Sequence, residues 1–386
     1  MTDAALRVSY LVRAAAPEIE GRAEALMLEQ AVELSRGAVR DPWVAAHILG
    51  RVERIEPVAG DLYRVERIEP EAGDLYRVEI AHPLATTALD PAQLLNVIFG
   101  NSSLQPDVVL ADIEWPDGGL GWLPGPRAGI PGLRELTGVT GRPLLATALK
   151  PMGLGPARLA ALCRTFALAG LDLVKDDHGL ADHPFCPFEA RVEACLRATE
   201  EAARDTGRRT LYVPNLIGTP DRVVRQLSFA RGAGARAVML SPMIVGLPLL
   251  HQLASAAEGL PILAHPALGG VLRASETVLF GKLFRWFGAD AVIFPHAGGR
   301  FSYSRETCRD LAAALRRAHP GIRPAFPVPA GGIRVERVSE LVALYGLDCI
   351  LLVGGSLYEA GDTLFDRTRA LVEQVARAAS EGPAAA

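Results

Sequence analysis

Two short stretches of the sequence place ionisable side chains directly after apolar runs. The segment 175–178 reads Lys-Asp-Asp-His and follows the run 171–174, and Lys150 follows the apolar run 143–149. Apolar residues that end in charged ones are typical of a buried strand whose last residues emerge into a polar site. Lysine is rarely placed for packing, so Lys150 and Lys175 indicate chemistry at these strand ends.

Three of these side chains are candidates for holding a cation. A carboxylate from Asp177 and a carbamate formed from Lys175 and CO2 would supply oxygen ligands of the kind that Mg²⁺ prefers. The imidazole of His178 suits softer divalent ions better. The sequence therefore predicts a magnesium site on Lys175 and Asp177, in which His178 is either a third ligand or the sign of a weakened site.

A repeating pattern of apolar strand, Gly- or Pro-marked loop and helix begins near residue 140. It contains eight candidate strands, at 143–149, 171–175, 209–216, 236–240, 261–265, 290–295, 324–329 and 348–353. Fully apolar strands that alternate with helices predict a parallel sheet, and eight of them predict closure into a (β/α)8 TIM barrel.

Catalytic groups of such barrels lie at the carboxyl ends of the strands. Polar residues or glycine pairs end five further strands, namely Asn215, His265, His296 with Arg300, Gly331 with Gly332, and Gly354 with Gly355. Taken singly, such a histidine is more often structural, and such a glycine pair often serves only a turn. Glycine N–H groups after the last two strands of a barrel commonly hold a phosphate, so we expect a phosphorylated small-molecule substrate, with Asn215 and Arg300 among its binding residues.

The segment before the barrel predicts a smaller α+β, ferredoxin-like domain. We expect this domain over residues 1–135, the barrel over 136–370 and a C-terminal helix or tail over 371–386. Residues 51–63 and 64–76 are two 13-residue copies that differ only at Val58 and Glu71. We interpret them as a duplicated hairpin segment without a direct functional role, or as an error of sequence assembly.

Composition narrows the class of protein. The chain of 386 residues has a formal net charge of −4 and no block of like charge, which argues against nucleic acid or an anionic membrane as a partner. The five cysteines are widely spaced, as expected of reduced thiols. Without a signal-peptide pattern or a long apolar run, the expected location is the cytoplasm.

The motifs resemble those of the RuBisCO superfamily over nearly the whole chain. Segment 149–154 (Leu-Lys-Pro-Met-Gly-Leu) resembles the end of the first barrel strand, and segment 170–177 resembles the metal-site strand. His265, His296 and the two glycine pairs fall where the family has active-site histidines and phosphate-binding glycines. In the small domain, the segments around Glu33 and Asn101 are similar to those that carry a catalytic glutamate and an asparagine reaching a partner subunit's active site. The resemblance thus implies a homodimer with shared active sites.

Several residues depart from the carboxylating members of that family. His178 stands in place of a glutamate, Met152 in place of the second lysine of the first-strand motif, and Pro266 in place of an arginine. Ala38 and Ala330 replace a threonine and a serine, and residues 297–306 contain no lysine. The resemblance is therefore to a RuBisCO-like protein of the non-carboxylating branch (form IV).

Enolisation is the chemistry that these departures leave in place. We expect a lyase or isomerase in which Lys150 is the acid/base, Lys175 and Asp177 hold Mg²⁺, and His265 and His296 orient hydroxyls or relay protons. The altered metal site favours decarboxylation or carbon–carbon hydrolysis of a branched oxo-sugar-acid phosphate. The alternatives are the methylthio-pentulose-phosphate isomerase and the 2,3-diketo-methylthiopentyl-phosphate enolase of methionine salvage, and a barrel that binds a phosphometabolite without catalysis.

Overall fold

The structure is a computed structural model that describes residues 4–58, 74–116, 119–301 and 303–381. Contacts between residues divide the chain into two compact units. The first comprises Met1–Trp122 and Leu268–Lys282, and the second comprises Leu123–Ala267 and Leu283–Ala386. A segment from the middle of the barrel sequence therefore belongs to the first unit, which the sequence did not indicate.

The first unit is built on a four-stranded antiparallel sheet. Its strands are β1 (Ala5–Ala14), β2 (Arg51–Pro57), β3 (Asp74–Pro83) and β4 (Val108–Glu114), in the order β2-β3-β1-β4. Its helices are α1 (Ile19–Ala31), α2 (Pro42–His47) and α3 (Pro91–Phe99). The carboxylate of Asp90 caps α3 by accepting from the N–H groups of Ala92 and Gln93, as its position before Pro91 predicts.

The duplicated segment lies mostly outside the described residues, because 59–73 are not among them. The start of the first copy forms β2, and the last three residues of the second copy begin β3. These two strands pair with Pro57 opposite Tyr76.

The second unit is a parallel barrel. Its strands are β5 (Leu144–Ala148), β6 (Leu173–Lys175), β7 (Leu211–Val213), β8 (Asn215–Leu216), β9 (Val238–Leu240), β10 (Ile262–Ala264), β11 (Ala291–Pro295), β12 (Phe326–Ala330) and β13 (Ile350–Leu352). The strand orders are β13-β5-β6-β7 and β12-β11-β10-β9-β8, with β12 beside β13. The predicted third strand is divided into β7 and β8 at Pro214, which has no N–H for a sheet hydrogen bond.

Helices connect and follow these strands. They are α4 (Gly129–Thr137), α5 (Pro156–Leu168), α6 (Phe188–Thr206), α7 (Pro220–Gly232), α8 (Pro242–Val245), α9 (Leu247–Ala256), α10 (Phe284–Trp286), α11 (Arg305–Arg316), α12 (Val338–Tyr345), α13 (Gly355–Tyr358) and α14 (Leu364–Ser380). Inward-facing side chains of the strands form the buried core, together with Ile130 and Leu133 of α4. The fold is α/β, with a C-terminal TIM barrel after a smaller antiparallel-sheet domain, as predicted.

The unit boundaries differ from the predicted domain limits at both ends of the barrel. The division falls after Trp122 rather than after residue 135, because α4 packs into the barrel core. At the other end, the predicted limit at residue 370 falls inside α14, whose Leu371 and Val375 are buried.

All five cysteines are buried, and none of them forms a disulfide. Among the residues that the structure describes, no helix is long and apolar enough to cross a membrane.

Candidate active site

Lys150 and Lys175 lie on neighbouring strands of the barrel. Ala148, the last residue of β5, is in register with Lys175, the last residue of β6. Two residues beyond the end of β5, the ammonium group of Lys150 donates a hydrogen bond to the carboxylate of Asp177. The Lys150 side chain is 43% exposed, whereas that of Asp177 is 10% exposed. The pair thus presents a cation to solvent from a largely buried anchor.

Lys175 is almost completely buried, and its Nζ donates to the backbone carbonyl of Asp176 at 2.9 Å. Burial lowers the pKa of Lys175 to about 8, and the charge of Lys150 acts in the same direction while Asp177 opposes it. With such a pKa, about a tenth of the lysine is neutral amine at pH 7, and the neutral amine is the form that reacts with CO2.

Asp177 is held as an anion by its neighbours. Burial alone would raise the pKa of Asp177, but hydrogen bonds from Lys150 and from the N–H of Gly179 hold it below its usual value. The Gly179 N–H lies 3.0 Å from Oδ1. Both carboxylate oxygens therefore already have partners.

His178 and His265 form a stacked pair at the ends of β6 and β10. Their ring centroids are 4.2 Å apart and their planes differ by 9°. Burial lowers the pKa of His265 to about 2, with the Lys175 charge adding to this effect, and burial also lowers the pKa of His178. Both imidazoles are therefore neutral at physiological pH and can each accept or donate a proton.

The donor set at this end of β6 fits a divalent cation once Lys175 carries a carbamate. Within the described ranges, no group of three or more His, Cys, Asp and Glu side chains could hold a metal. Asp177 offers a carboxylate, and Nδ1 of His178 lies 3.4 Å from its Oδ1. Carbamylated Lys175 would provide the second oxygen donor, leaving imidazole where Mg²⁺ would favour a third oxygen.

His296 is buried at the end of β11 beneath the loop that follows. Burial lowers its pKa, and hydrogen bonds to the backbone at Gly332 and Ala297 oppose this effect. A Cβ at Gly299 would lie 2.8 Å from its Nε2, so a glycine there allows the loop to cover the ring. The Arg300 N–H donates to the carbonyl of Gly331 at 2.7 Å, which joins this loop to the next one.

The two predicted phosphate-binding glycine pairs differ in their surroundings. Gly331 and Gly332 have φ values of +91° and +105°, and a Cβ at Gly331 would lie 3.1 Å from the ring of Phe301. Gly354 and Gly355 face open space, since a Cβ at either would meet nothing within 4 Å. The positive φ values of Gly331 and Gly332 thus require glycine at both positions. Gly354 and Gly355 instead leave room for a ligand.

Asn215 and Arg300, which the sequence predicts to bind substrate, make different contacts in the structure. The side-chain amide of Asn215 donates to the carbonyls of His178 and Leu180, at 3.0 and 3.1 Å. Asn215 therefore supports the loop that carries His178. Arg300 is exposed, with its guanidinium 5.6 Å from the ring centroid of Phe301.

Glu33 and Asn101 belong to the first unit. Asn101 donates to the carboxylate of Glu29 at 3.0 Å. Glu33 follows α1, which ends at Ala31, and has a φ of +54°.

Sequence reasoning missed two supports of this site. Asp176 is fully buried and accepts from Arg191 Nε at 2.9 Å, from the Tyr212 hydroxyl at 2.7 Å and from the Asn215 N–H at 3.0 Å. Strand alternation between Lys175 and Asp177 is the signal that points to this residue. The second support is Tyr358, whose hydroxyl contacts the backbone around Lys150.

Lysine usage is a further signal that the sequence contained. Only three of the 40 basic residues are lysines, at positions 150, 175 and 282. Lys282 donates to Asp112 at 2.5 Å within the first unit, so the other two lysines are both at the candidate site.

The sequence of this chain is similar to those of a known protein family and of several named proteins. The family model of the ribulose bisphosphate carboxylase large chain, catalytic domain, matches residues 129–363. Ribulose bisphosphate carboxylase-like protein 1 of Rhodopseudomonas palustris is 49% identical over 369 residues, covering 96% of this chain and 97% of its own. The 5-methylthioribulose-1-phosphate isomerase of Rhodospirillum rubrum is 45% identical over 383 residues, covering 99% of each chain.

A further relative matches a smaller part of the chain, and a solved structure resembles this one. The 2,3-diketo-5-methylthiopentyl-1-phosphate enolase of Geobacillus thermodenitrificans is 38% identical over 287 residues, which are 72% of this chain and 70% of the enolase. The crystal structure of a Rubisco-like protein from Rhodopseudomonas palustris superposes with a TM-score of 0.86 at 43% identity, covering 97% of this chain and 98% of that one. The chain therefore belongs to the RuBisCO large-chain family, in its non-carboxylating, RuBisCO-like branch.

Proposed function

We propose that this chain is an isomerase of a phosphorylated methylthio-pentulose, with 5-methylthioribulose 1-phosphate as its substrate. The observation that carries the proposal is the half-exposed Lys150 ammonium, anchored on Asp177 beside two neutral imidazoles. This set can move protons at carbon and at oxygen without a co-substrate. The Rhodospirillum relative named for this reaction is 45% identical over 99% of both chains, whereas the Geobacillus enolase is 38% identical over 72% of this chain, which supports this choice.

The proposed reaction needs a proton to leave a carbon next to the carbonyl and to return to a different carbon. In its neutral amine form, Lys150 takes the proton from one carbon, becomes an ammonium and returns the proton to the other carbon, and Asp177 holds its Nζ in place. The neutral imidazole of His265 relays the proton of a substrate hydroxyl, accepting at one ring nitrogen as it donates from the other. A divalent cation on carbamylated Lys175, Asp177 and His178 would polarise the carbonyl when bound.

The phosphate end of the substrate is assigned to the open glycine pair. Gly354 and Gly355 let a phosphate approach backbone N–H groups that a side chain would screen. Proton transfer at a carbon held this way consumes no water and releases neither CO2 nor phosphate.

The sequence favoured decarboxylation or carbon–carbon hydrolysis of an oxo-sugar-acid phosphate. Two of the relatives above are named for their reactions, one as an isomerase and one as an enolase, so the methionine-salvage alternative becomes the proposal. The two reactions differ in their products. Decarboxylation or carbon–carbon hydrolysis releases CO2 or a carbon fragment, whereas isomerisation releases neither.

Incubation in D2O tests the proposal directly. In D2O, we expect the protein to convert 5-methylthioribulose 1-phosphate into an isomer that is heavier only by the deuterium it takes up at carbon. NMR and mass spectrometry measure this product with and without Mg²⁺ and bicarbonate. Turnover of only the 2,3-diketo compound would instead indicate an enolase, and CO2 release from an oxo-sugar acid would indicate a decarboxylase. Binding without deuterium exchange would indicate a receptor.

We further propose a homodimer in which Asn101 and Glu33 of one subunit complete the partner's barrel site. Support comes from the similarity of their segments to the family's shared-site segments. Mixing inactive Asn101→Ala and Lys150→Met subunits after partial denaturation should restore activity, because each mixed dimer contains one site with both native residues. Failure to restore activity in mixed dimers verified by mass would contradict shared sites.

A further inference from the structure

The end of β5 lacks a strand neighbour on one side. Strand β13 runs beside β5 as far as Val353, whose N–H donates to the carbonyl of Ala146 at 2.9 Å. The chain then turns away at Gly354, with φ −115° and ψ −96°, to form the open glycine pair. The last peptide groups of β5 and those that follow it, up to Lys150, therefore extend past the end of β13.

The hydroxyl of Tyr358 takes the place of the missing strand. It donates to the carbonyl of Ala148 at 2.8 Å and accepts from the N–H of Lys150 at 3.0 Å. A phenol hydroxyl has one hydrogen to donate and lone pairs to accept, so both bonds form at once. The ring packs edge-on against Phe166, with centroids 5.6 Å apart, and burial raises the pKa of Tyr358, which keeps the hydroxyl protonated.

We propose that Tyr358 is a positioning residue that fixes the backbone of Lys150 and links it to the glycine pair 354–355. The inference rests on the proposed function in assigning proton transfer to Lys150. Tyr358 lies on α13, the four-residue helix that begins at Gly355. Any ligand that orders Gly354 and Gly355 therefore also orders the hydroxyl that holds Lys150.

This arrangement lets binding energy from the phosphate end of the substrate serve the reacting end. A phosphate held at the glycine pair stabilises α13, and α13 stabilises the position from which Lys150 reaches the substrate carbon. Interactions remote from the reacting atoms are used in this way when they align a catalytic group. Substrates without the phosphate should accordingly lose turnover as well as affinity.

Tyr358→Phe removes both hydrogen bonds and keeps the ring. We expect kcat for the isomerisation to fall by about 10- to 100-fold, as misplacement of a reacting group does, with KM changed by less than about twofold. The primary isotope effect from deuterium at the abstracted position should rise, since proton transfer becomes slower relative to other steps. Tyr10→Phe is the matched control, because it removes one buried tyrosine hydrogen bond in the first unit and should leave kcat and the isotope effect unchanged.

A measurement without substrate separates this proposal from the proposed function. Trace acetylation labels each of the three lysines, and the Lys150-to-Lys282 labelling ratio should rise at least threefold in Tyr358→Phe as the ion pair to Asp177 loosens. Phe166→Leu, which loosens the ring and keeps the hydroxyl, should shift the ratio in the same direction by less. An unchanged ratio in a folded Tyr358→Phe protein would overturn the positioning role, whereas an inactive wild type with a changed ratio would overturn only the proposed function.

Discussion

The imidazole rings of His178 and His265 stack in parallel, 4.2 Å apart, and join the loops that follow β6 and β10. Stacking of this kind is favourable for two neutral rings, and the lowered pKa of each keeps both neutral. The resemblance to the RuBisCO family implies a glutamate at this position in carboxylating members. This chain instead has a ring there that packs against a second ring.

His178→Glu should restore affinity for a hard cation. A second carboxylate beside Asp177 adds an oxygen ligand, and we expect the Kd for Mg²⁺ in the presence of bicarbonate to fall by about tenfold, equivalent to about 1.4 kcal/mol. Isothermal titration calorimetry measures this change. His178→Gln, which removes the imidazole without adding charge, is the control, and equal Mg²⁺ affinity in the two variants would contradict the assignment.

Lys150→Met should abolish deuterium exchange and turnover while the fold persists. The side chain is 43% exposed, so methionine fits there, and loss of the acid/base should lower kcat by about 10²- to 10⁴-fold. Loss of its hydrogen bond should also raise the pKa of Asp177. Lys282→Arg, which keeps a cation opposite Asp112, should retain full activity. Turnover by Lys150→Met at the wild-type rate would show that another group moves the proton.

Gly355→Ala should weaken substrate binding without straining the fold. A Cβ at this position meets nothing within 4 Å, so we expect an unchanged melting temperature and about a tenfold higher KM, because the methyl group holds the phosphate off the backbone N–H. Gly21→Ala, also in open space but in the first unit, should leave KM unchanged. Equal KM values for Gly355→Ala and the wild type would place the phosphate elsewhere.

Arg191→Leu should destabilise the barrel strongly. Arg191 and Asp176 both have fully buried side chains in an ion pair of 2.9 Å, and removal of one partner leaves a buried charge, at a cost of about 3–5 kcal/mol. Arg164→Leu removes an ion pair between exposed side chains of α5 and α6 and should cost about 1 kcal/mol or less. Urea unfolding of both variants gives the loss in the free energy of unfolding for each. Equal losses would contradict the expectation that the buried ion pair matters more than the exposed one.

The sequence predicted the barrel and most strand-end residues because apolar strands, helices and polar strand ends recur at regular spacing. The sequence predicted that Lys150, Asp177 and His265 belong to the site, but it did not predict which side chains they contact. Which carboxylate receives Lys150 depends on backbone register between β5 and β6, and the stack of His178 on His265 joins residues 87 positions apart. Asn215 was predicted to bind substrate, yet its amide donates to two loop carbonyls, a contact that no local pattern encodes.

The first unit should lose stability in mild acid because of His82. This imidazole is 1% exposed, its Nε2 has no hydrogen-bond partner in the described part of the chain, and burial lowers its pKa to about 4. Between pH 6.5 and 4 the unfolded chain takes up a proton that the folded chain does not bind. The free energy of unfolding should therefore fall as the pH decreases through this window, by about 3 kcal/mol from this group.

His82→Phe removes the titrating group and keeps a buried ring, so its free energy of unfolding should depend less on pH between 6.5 and 4 than that of the wild type. Urea unfolding followed by circular dichroism at a series of pH values gives the two slopes. His47→Gln is the control, because His47 is exposed and its loss should leave the slope unchanged. Parallel pH profiles for His82→Phe and the wild type would mean that His82 is not held neutral in the folded protein.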